Sequence, residues 1–328
     1  ATGVCHSDLS IINGGFPVAL PIVLGHEGSG VVEQVGEGVS RLQVGDHVVL
    51  SFVPACGECR DCQSHRPALC ETGLRMGKML DGTTRVHAGE EDIDVMQYLG
   101  CMAEYAVVPQ ASAIKIDKAI PLDKAALVGC AVMTGVGAAI NTAKIAPGSS
   151  VAVFGCGGIG LSVIQGAQLA GAEKIIAVDI AAGKLEMAAR FGATHSVNSL
   201  DEDPVAAIQA LTGGGADYAF EAVGVAKLME QANDSVRRGG TAVVVGVGSL
   251  NENVSLNALM LSMGAKTLKG CFYGDANPPV DFPKLLNLYT AGKLNLDDMV
   301  TKRYSLEDAP QAFEDMKQGV NARGVITY

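Results

Sequence analysis

The sequence predicts an α/β chain in which a doubly wound parallel sheet is inserted into a mainly β domain. Three observations carry this expectation. A strand, a glycine-rich turn, a helix and a second strand follow one another from Ser150 to Asp179. Alternating helix-like and strand-like patterns continue from there to Gly274. Of the flanking segments, 1–132 carries a valine- and glycine-rich hairpin pattern instead, and 275–328 reads as a helix, turn and extended run, an amphipathic helix and a final strand. The expected division is therefore a first domain over 1–132, a parallel-sheet domain over 133–274, and a return to the first domain over 275–328.

The inserted domain begins with Val151–Phe154, an apolar β-branched run that reads as a buried strand. Gly155-x-Gly157-Gly158-Ile159-Gly160 follows, then apolar and small residues at helical spacing to Ala170, then a strand over Lys174–Val178 closed by Asp179. The first glycine makes the turn tight, the second lets backbone approach a pyrophosphate, and the third lets helix pack on strand. The helix N-terminus offers free N–H groups to phosphate. Asp179 stands where a carboxylate accepts hydrogen bonds from an adenosine ribose. A lone glycine fingerprint also fits a simple turn, but with both strands, the helix and the terminal Asp in register it reads as a dinucleotide site. No Arg follows in Asp179-Ile180-Ala181-Ala182, and the carboxylate would repel a 2′-phosphate, so the expected coenzyme is NAD rather than NADP. Helices AGKLEMAARFG, PVAAIQALTGG and VAKLMEQANDSVRRGG and strands THSVN, DYAFEA, TAVVVGV and TLKGCF complete six strands.

Composition narrows the partners. With 328 residues and 48% hydrophobic against 18% charged, the chain can bury two cores. A net charge of −11 argues against nucleic acid or an anionic membrane surface. No apolar run approaches the roughly 20 residues that span a bilayer, and no signal peptide is visible, so a cytoplasmic protein is expected. Nine cysteines, four of them between Cys56 and Cys70, favour metal binding over disulfides in such a chain.

In the first segment, ATGVCHSDLS sets Cys5, His6, Ser7 and Asp8 together at the end of a strand-like run. GSGVVEQVGEGVSRLQVGDHVVL reads as an antiparallel hairpin with turns at Gly36–Val39 and Val44–Asp46, and His47 within it reads as structural. Cys56-x-x-Cys59-x-x-Cys62-x7-Cys70 has the spacing of a lobe wrapped on one tetrahedral zinc; four thiolates saturate the ion and make it structural. Glu71 to Gly100 reads as a long polar loop. Cys130, in an apolar setting, reads on its own as a buried small hydrophobe. SLEDAPQAFEDMKQG reads as an amphipathic helix capped by Ser305, and the final residues as a strand.

Gly25-His26-Glu27-x-x-Gly30-x5-Gly36-x-x-Val39, with ATGVCHSD before it and the cysteine lobe after it, resembles the zinc-dependent medium-chain alcohol dehydrogenases, in their liver and formaldehyde-dehydrogenase-like branch. The resemblance covers essentially the whole chain. It implies a Rossmann sheet inserted in a GroES-like catalytic domain and an NAD-dependent enzyme that oxidises primary or secondary alcohols. It implies Cys5, His26 and Cys130 as ligands of a catalytic zinc, Glu27 as a nearby carboxylate, and Ser7 as the hydroxyl that takes the alcohol proton. It adds His6, Thr134, Lys184, Val247 and Arg323 to the glycine turn and Asp179 as coenzyme contacts, and Phe52, with Thr134 and Met102, as pocket-lining. Two zinc ions per chain, a small alcohol or aldehyde substrate, and a homodimer rather than a tetramer follow from the same resemblance.

Departures qualify it. Ser10 stands where several relatives end a proton relay in histidine, and His6 where many have arginine. Leu74, followed by Arg75, occupies the position of an arginine in the glutathione-type members, so an S-(hydroxymethyl)thiol is the second choice of substrate. An enzyme that keeps its NAD bound is the other alternative. The relatives place about forty residues of strand before ATGVC, and their loss, by truncation, would expose sheet edges that favour association.

Overall fold

The computed structural model describes residues 1–73 and 77–328, so the comparison at Leu74 and Arg75 lies outside the described residues. The chain divides into two compact units: Ala1–Met133 with Ala276–Tyr328, and Thr134–Asp275.

The second unit is built on six parallel strands: Ser150–Phe154, Lys174–Asp179, His195–Asn198, Ala216–Glu221, Val236–Val244 and Thr267–Gly270. Their order across the sheet is third, second, first, fourth, fifth, sixth, the doubly wound arrangement, with the reversal beside the first strand. Val151, Ala152, Val153 and Phe154 are all buried, as a strand covered on both faces requires. Ala152, Phe154, Ile176, Val178, Val197, Ile208 and Ala219 share one core cluster. One boundary differs from the expectation. VRRGG does not extend the helix Ala226–Ser235 but opens the fifth strand at Val236, where the left-handed Gly239 (φ 74°) and a register shift let the strand bend.

Among the described residues, the first unit holds three small sheets. Ser29–Val31 and His47–Leu50 pair antiparallel, with Ala113–Ile116 on the far side of His47–Leu50. The stretch 71–100, read as loop, contains an antiparallel hairpin of Val86–Ala88 with Glu91–Val95. The charged alternation of EDIDV hid a strand, and pairing of its far edge with Ile22–Val23 decides the matter. The terminal sheet joins the two ends of the chain: Thr2–Gly3 pairs antiparallel with Arg323–Ile326, which pairs parallel with Val300–Tyr304. Val4, Leu9, Tyr304, Phe313 and Ile326 pack beneath it. The helix Ala309–Lys317 starts one turn later than expected; Asp308 is its N-cap residue, and Ser305 donates to Asp308 Oδ2 at 2.9 Å instead of capping.

The expectation that no segment is long and apolar enough to span a bilayer is corrected by Leu122–Thr142, 21 residues with mean hydropathy 1.6. The small residues Ala125, Ala126, Gly129, Ala131 and Gly135 broke up the run to the eye. Of its most apolar window 83% is buried, the mark of a core helix. It is interrupted by two π-type stretches, Val128–Val132 and Ala138–Thr142.

Candidate active site and metal centres

Each residue of the first cluster is placed by a different element. Cys5, extended at φ −129° and ψ 152°, stands at the N-cap of a short helix, His6–Ile12, which the sequence reading did not foresee. His26 and Glu27 follow Gly25, whose φ of 99° and closeness to Met102 N (2.3 Å from an added Cβ) leave no room for a side chain. Cys130 lies inside the π-type stretch Val128–Val132, a local widening of a helix often found at functional sites. The ligand atoms of Cys5, His26 and Cys130 all lie within 4.8 Å of one another, and all three side chains are buried.

Asp8, one helical turn past Cys5, is the residue that sequence reasoning passed over. It is fully buried, accepts from Gly25 N at 2.9 Å through Oδ1, and sets Oδ2 3.3 Å from His26 Nδ1. Its position three residues after a candidate ligand was the only available signal. Burial opposes charge on His26, but Asp8 and then Cys5 outweigh it and hold the imidazole well above its ordinary pKa. Among the described residues, neither ring nitrogen makes a hydrogen bond of ordinary geometry. Between the two thiols, Cys130 donates toward Cys5, which lowers the Cys5 pKa and raises that of Cys130. A buried set of two sulfurs and an imidazole facing one another is a poor apolar core and a good Cys₂His donor set. It fits a zinc ion and leaves one coordination position open. Phe52 packs edge-on against the His26 ring, centroids 5.7 Å apart, and Ser7 Oγ lies 3.9 Å from Cys5 Sγ.

Behind the ligands, Glu27 is fully buried, and desolvation pushes its carboxyl up to about 7 against the pull of Arg323. Its Oε2 pairs with the Arg323 guanidinium, and its Oε1 accepts from Ala131 N at 3.3 Å, beside Cys130. Arg323 itself is only 7% exposed, so it is no surface arginine. The terminal sheet, pairing Gly3 with Val325, brings it here from the far end of the sequence.

The four lobe cysteines also converge, their sulfurs within 4.8 Å of one another around the helix Arg60–Gln63 and the short turn Pro67–Leu69. Cys56 Sγ accepts from Glu58 N at 3.4 Å and Cys59 N at 3.3 Å, which lowers its pKa to about 6; burial pushes Cys62 up to about 12. All nine cysteines are free thiols. Four converging sulfurs with backbone donors fit a saturated zinc site.

In the second unit, Gly155 is left-handed at φ 91°, and a Cβ on Gly160 would stand 1.8 Å from Gly155 O. The turn therefore feeds the helix Gly158–Leu169, with Gly157 at its N-cap and Ile159 in its first turn. Asp179 ends its strand and accepts from Cys156 N at 2.8 Å and Ala181 N at 3.0 Å, which aims the carboxylate across the turn. Lys184 lies in the helix Ala182–Arg190, Val247 is 65% exposed, and Thr134 is buried in Met133–Gly137. In the first unit, His6 is exposed on the first turn of its helix.

Comparison with known proteins gives these features a context. Residues 1–118 match the alcohol dehydrogenase GroES-like domain family, and residues 158–291 the zinc-binding dehydrogenase family. An NDMA-dependent alcohol dehydrogenase of Amycolatopsis methanolica is 43% identical over 333 residues, which cover 100% of this chain and 90% of that protein. The crystal structure of an alcohol dehydrogenase zinc-binding domain protein from Burkholderia ambifaria matches with a TM-score of 0.95 at 39% identity, over 99% of this chain and 89% of that one. Benzyl alcohol dehydrogenase from Acinetobacter calcoaceticus matches with a TM-score of 0.93 at 36% identity, again over 99% and 89%. On likeness of this extent in both sequence and fold, the chain belongs to the zinc-dependent medium-chain alcohol dehydrogenase family and is an alcohol dehydrogenase.

Proposed function

We propose that the enzyme oxidises primary or secondary alcohols, aliphatic or aromatic, to aldehydes or ketones with NAD as hydride acceptor, and that it works with one catalytic and one structural zinc. The convergence of the buried Cys5, His26 and Cys130 side chains carries this reading. Zinc held by that trio would supply a Lewis acid that favours loss of the alcohol proton. Ser7 receives that proton, Asp8 holds the His26 ring in one tautomer and orientation, and Phe52 forms an apolar wall beside it. Asp179 accepts from the ribose hydroxyls and repels a 2′-phosphate, which supports NAD over NADP. Arg323, through the face not engaged by Glu27, is the candidate for the coenzyme pyrophosphate.

The test is a panel of alcohols, including an S-(hydroxymethyl)thiol, with NAD and NADP, read as nicotinamide absorbance, together with metal analysis. The expected result is NAD-dependent turnover and two zinc ions per chain. One zinc per chain, or turnover with NADP alone, would sink the reading. A second reading has its own support, because the 43% identical relative is named for its dependence on NDMA. On this second reading NAD would stay bound to this chain, and the purified protein would carry nicotinamide absorbance before any coenzyme is added.

A homodimer is proposed as well. The outer strand Thr267–Gly270 has one open edge, and the adjoining helix Ala258–Met263 buries none of its residues while exposing Leu259, Met260 and Met263. Sedimentation should give twice the chain mass. Nine free thiols suit a reducing compartment, in keeping with a cytoplasmic enzyme.

A further inference from the structure

The strand Ala216–Glu221 ends on a carboxylate that neither cysteine cluster nor the glycine turn uses. Glu221 is fully buried. Its Oε1 accepts from three consecutive backbone N–H groups, those of Val223 at 2.9 Å, Gly224 at 2.7 Å and Val225 at 3.4 Å. Its main-chain carbonyl accepts from Val245 N at 2.8 Å and Gly246 N at 3.0 Å, across the turn that leaves the neighbouring strand. Oε2 makes no hydrogen bond among the described residues and faces Gly246, where an added Cβ would lie 2.7 Å from it. One residue thus ties down two turns, 222–225 and 245–247.

The packing between those turns has no slack. A Cβ on Gly224 would stand 2.3 Å from Val247 O, and one on Gly246 would stand 2.1 Å from Gly224 N. Both turns leave the carboxyl ends of parallel strands, where a doubly wound sheet receives its ligand. A concavity of successive N–H groups binds an anion well, which accounts for Oε1. It does not account for burying Oε2 unpaired, which costs stability that a shorter acceptor or an apolar strand end would not.

We propose that Glu221 is a positioning residue for coenzyme binding: it fixes the 222–225 and 245–247 turns in the conformation that receives the coenzyme, and acts through backbone rather than by contact. The proposal rests on the NAD reading above. Glu221→Gln keeps the shape and one acceptor oxygen but removes the charge; Glu221→Leu removes both acceptors. The measurements are NADH affinity by fluorescence titration, kcat and KM for NAD and for alcohol, and thermal unfolding without coenzyme. Glu221→Gln should weaken NADH and raise the KM for NAD about tenfold, as loss of a charge-assisted hydrogen-bond set implies. Its kcat at saturating NAD, its KM for alcohol and its melting temperature should stay near wild type. Glu221→Leu should bind NADH more weakly still and melt lower; if it does not fold, Glu221→Gln decides alone. Wild-type NADH affinity in Glu221→Gln would overturn the proposal and leave Glu221 a structural cap. A wild-type protein that binds no nicotinamide coenzyme would overturn the NAD reading first, and the proposal with it.

Discussion

At His26 the group that decides the chemistry is not a ligand. Asp8, fully buried and with Oδ2 3.3 Å from Nδ1, is placed to leave the other ring nitrogen for a metal. Outer partners of metal-ligating histidines typically change metal affinity or activity by about 10- to 100-fold. Asp8→Asn keeps an acceptor for Gly25 N but loses the charge, so kcat/KM should fall within that range, and chelator competition should strip the catalytic zinc faster. Unchanged zinc retention would mean that Asp8 merely braces the backbone. Asp179 supports a second expectation. On the proposed NAD reading, Asp179→Ala would remove the ribose acceptor and the repulsion of a 2′-phosphate, so kcat/KM for NAD should fall relative to NADP by about tenfold, a shift one lost charged contact can supply. Cys5, His26 and Asp179 were legible in the sequence because motif spacing carries them. Asp8 and Glu221 were not, since a buried carboxylate is defined by what folds over it.

At the level of elements, the glycine turn separates folding from binding. Gly160 approaches Gly155 O so closely that Gly160→Ala must push helix Gly158–Leu169 off its strand. Gly157 has open space where a Cβ would go and needs no unusual φ. Gly160→Ala should therefore lower the melting temperature by several degrees, and coenzyme affinity with it, as overpacking by a methyl implies. Gly157→Ala should melt like wild type yet bind NADH at least about tenfold more weakly, because its open space lies where backbone approaches the pyrophosphate. Calorimetry and fluorescence titration of the pair would separate the two roles; a Gly157→Ala protein with full affinity would contradict the second. The strand–turn–helix order is local and was readable. The π-type widening at Cys130 was not: its surroundings, Leu50 O beside Gly129 and Glu27 Oε1 accepting from Ala131 N, come from distant parts of the chain.

For the molecule as a whole, the closure of the chain on itself is a long-range event. Tyr304, in the strand beside Arg323–Ile326, donates to Asp315 Oδ2 at 2.6 Å, and Lys302 and Gln311 reach the same carboxylate. Lys302, then Tyr304 and Gln311, hold the Asp315 pKa down to about 2 from its ordinary 3.8. A carboxyl more acidic folded than unfolded adds stability that is complete above 3.8 and disappears as pH falls through about 2. Asp315→Asn should thus be less stable than wild type at neutral pH, and the two unfolding curves should converge on acidification. Parallel curves down to pH 2 would show that Asp315 acts by shape alone.

By itself the sequence determined the parallel sheet, the glycine turn with Asp179, the four-cysteine lobe and the motifs that hold Cys5 and His26, because each is written in spacings of a few residues that local geometry enforces. Only the tertiary structure decided what surrounds them. The pairing of Thr2–Gly3 with Arg323–Ile326 sets Arg323 against Glu27, and the core helix Leu122–Thr142 delivers Cys130 to within reach of Cys5. These contacts join residues distant along the chain, and burial, which no spacing encodes, gives them their charge states and their chemistry.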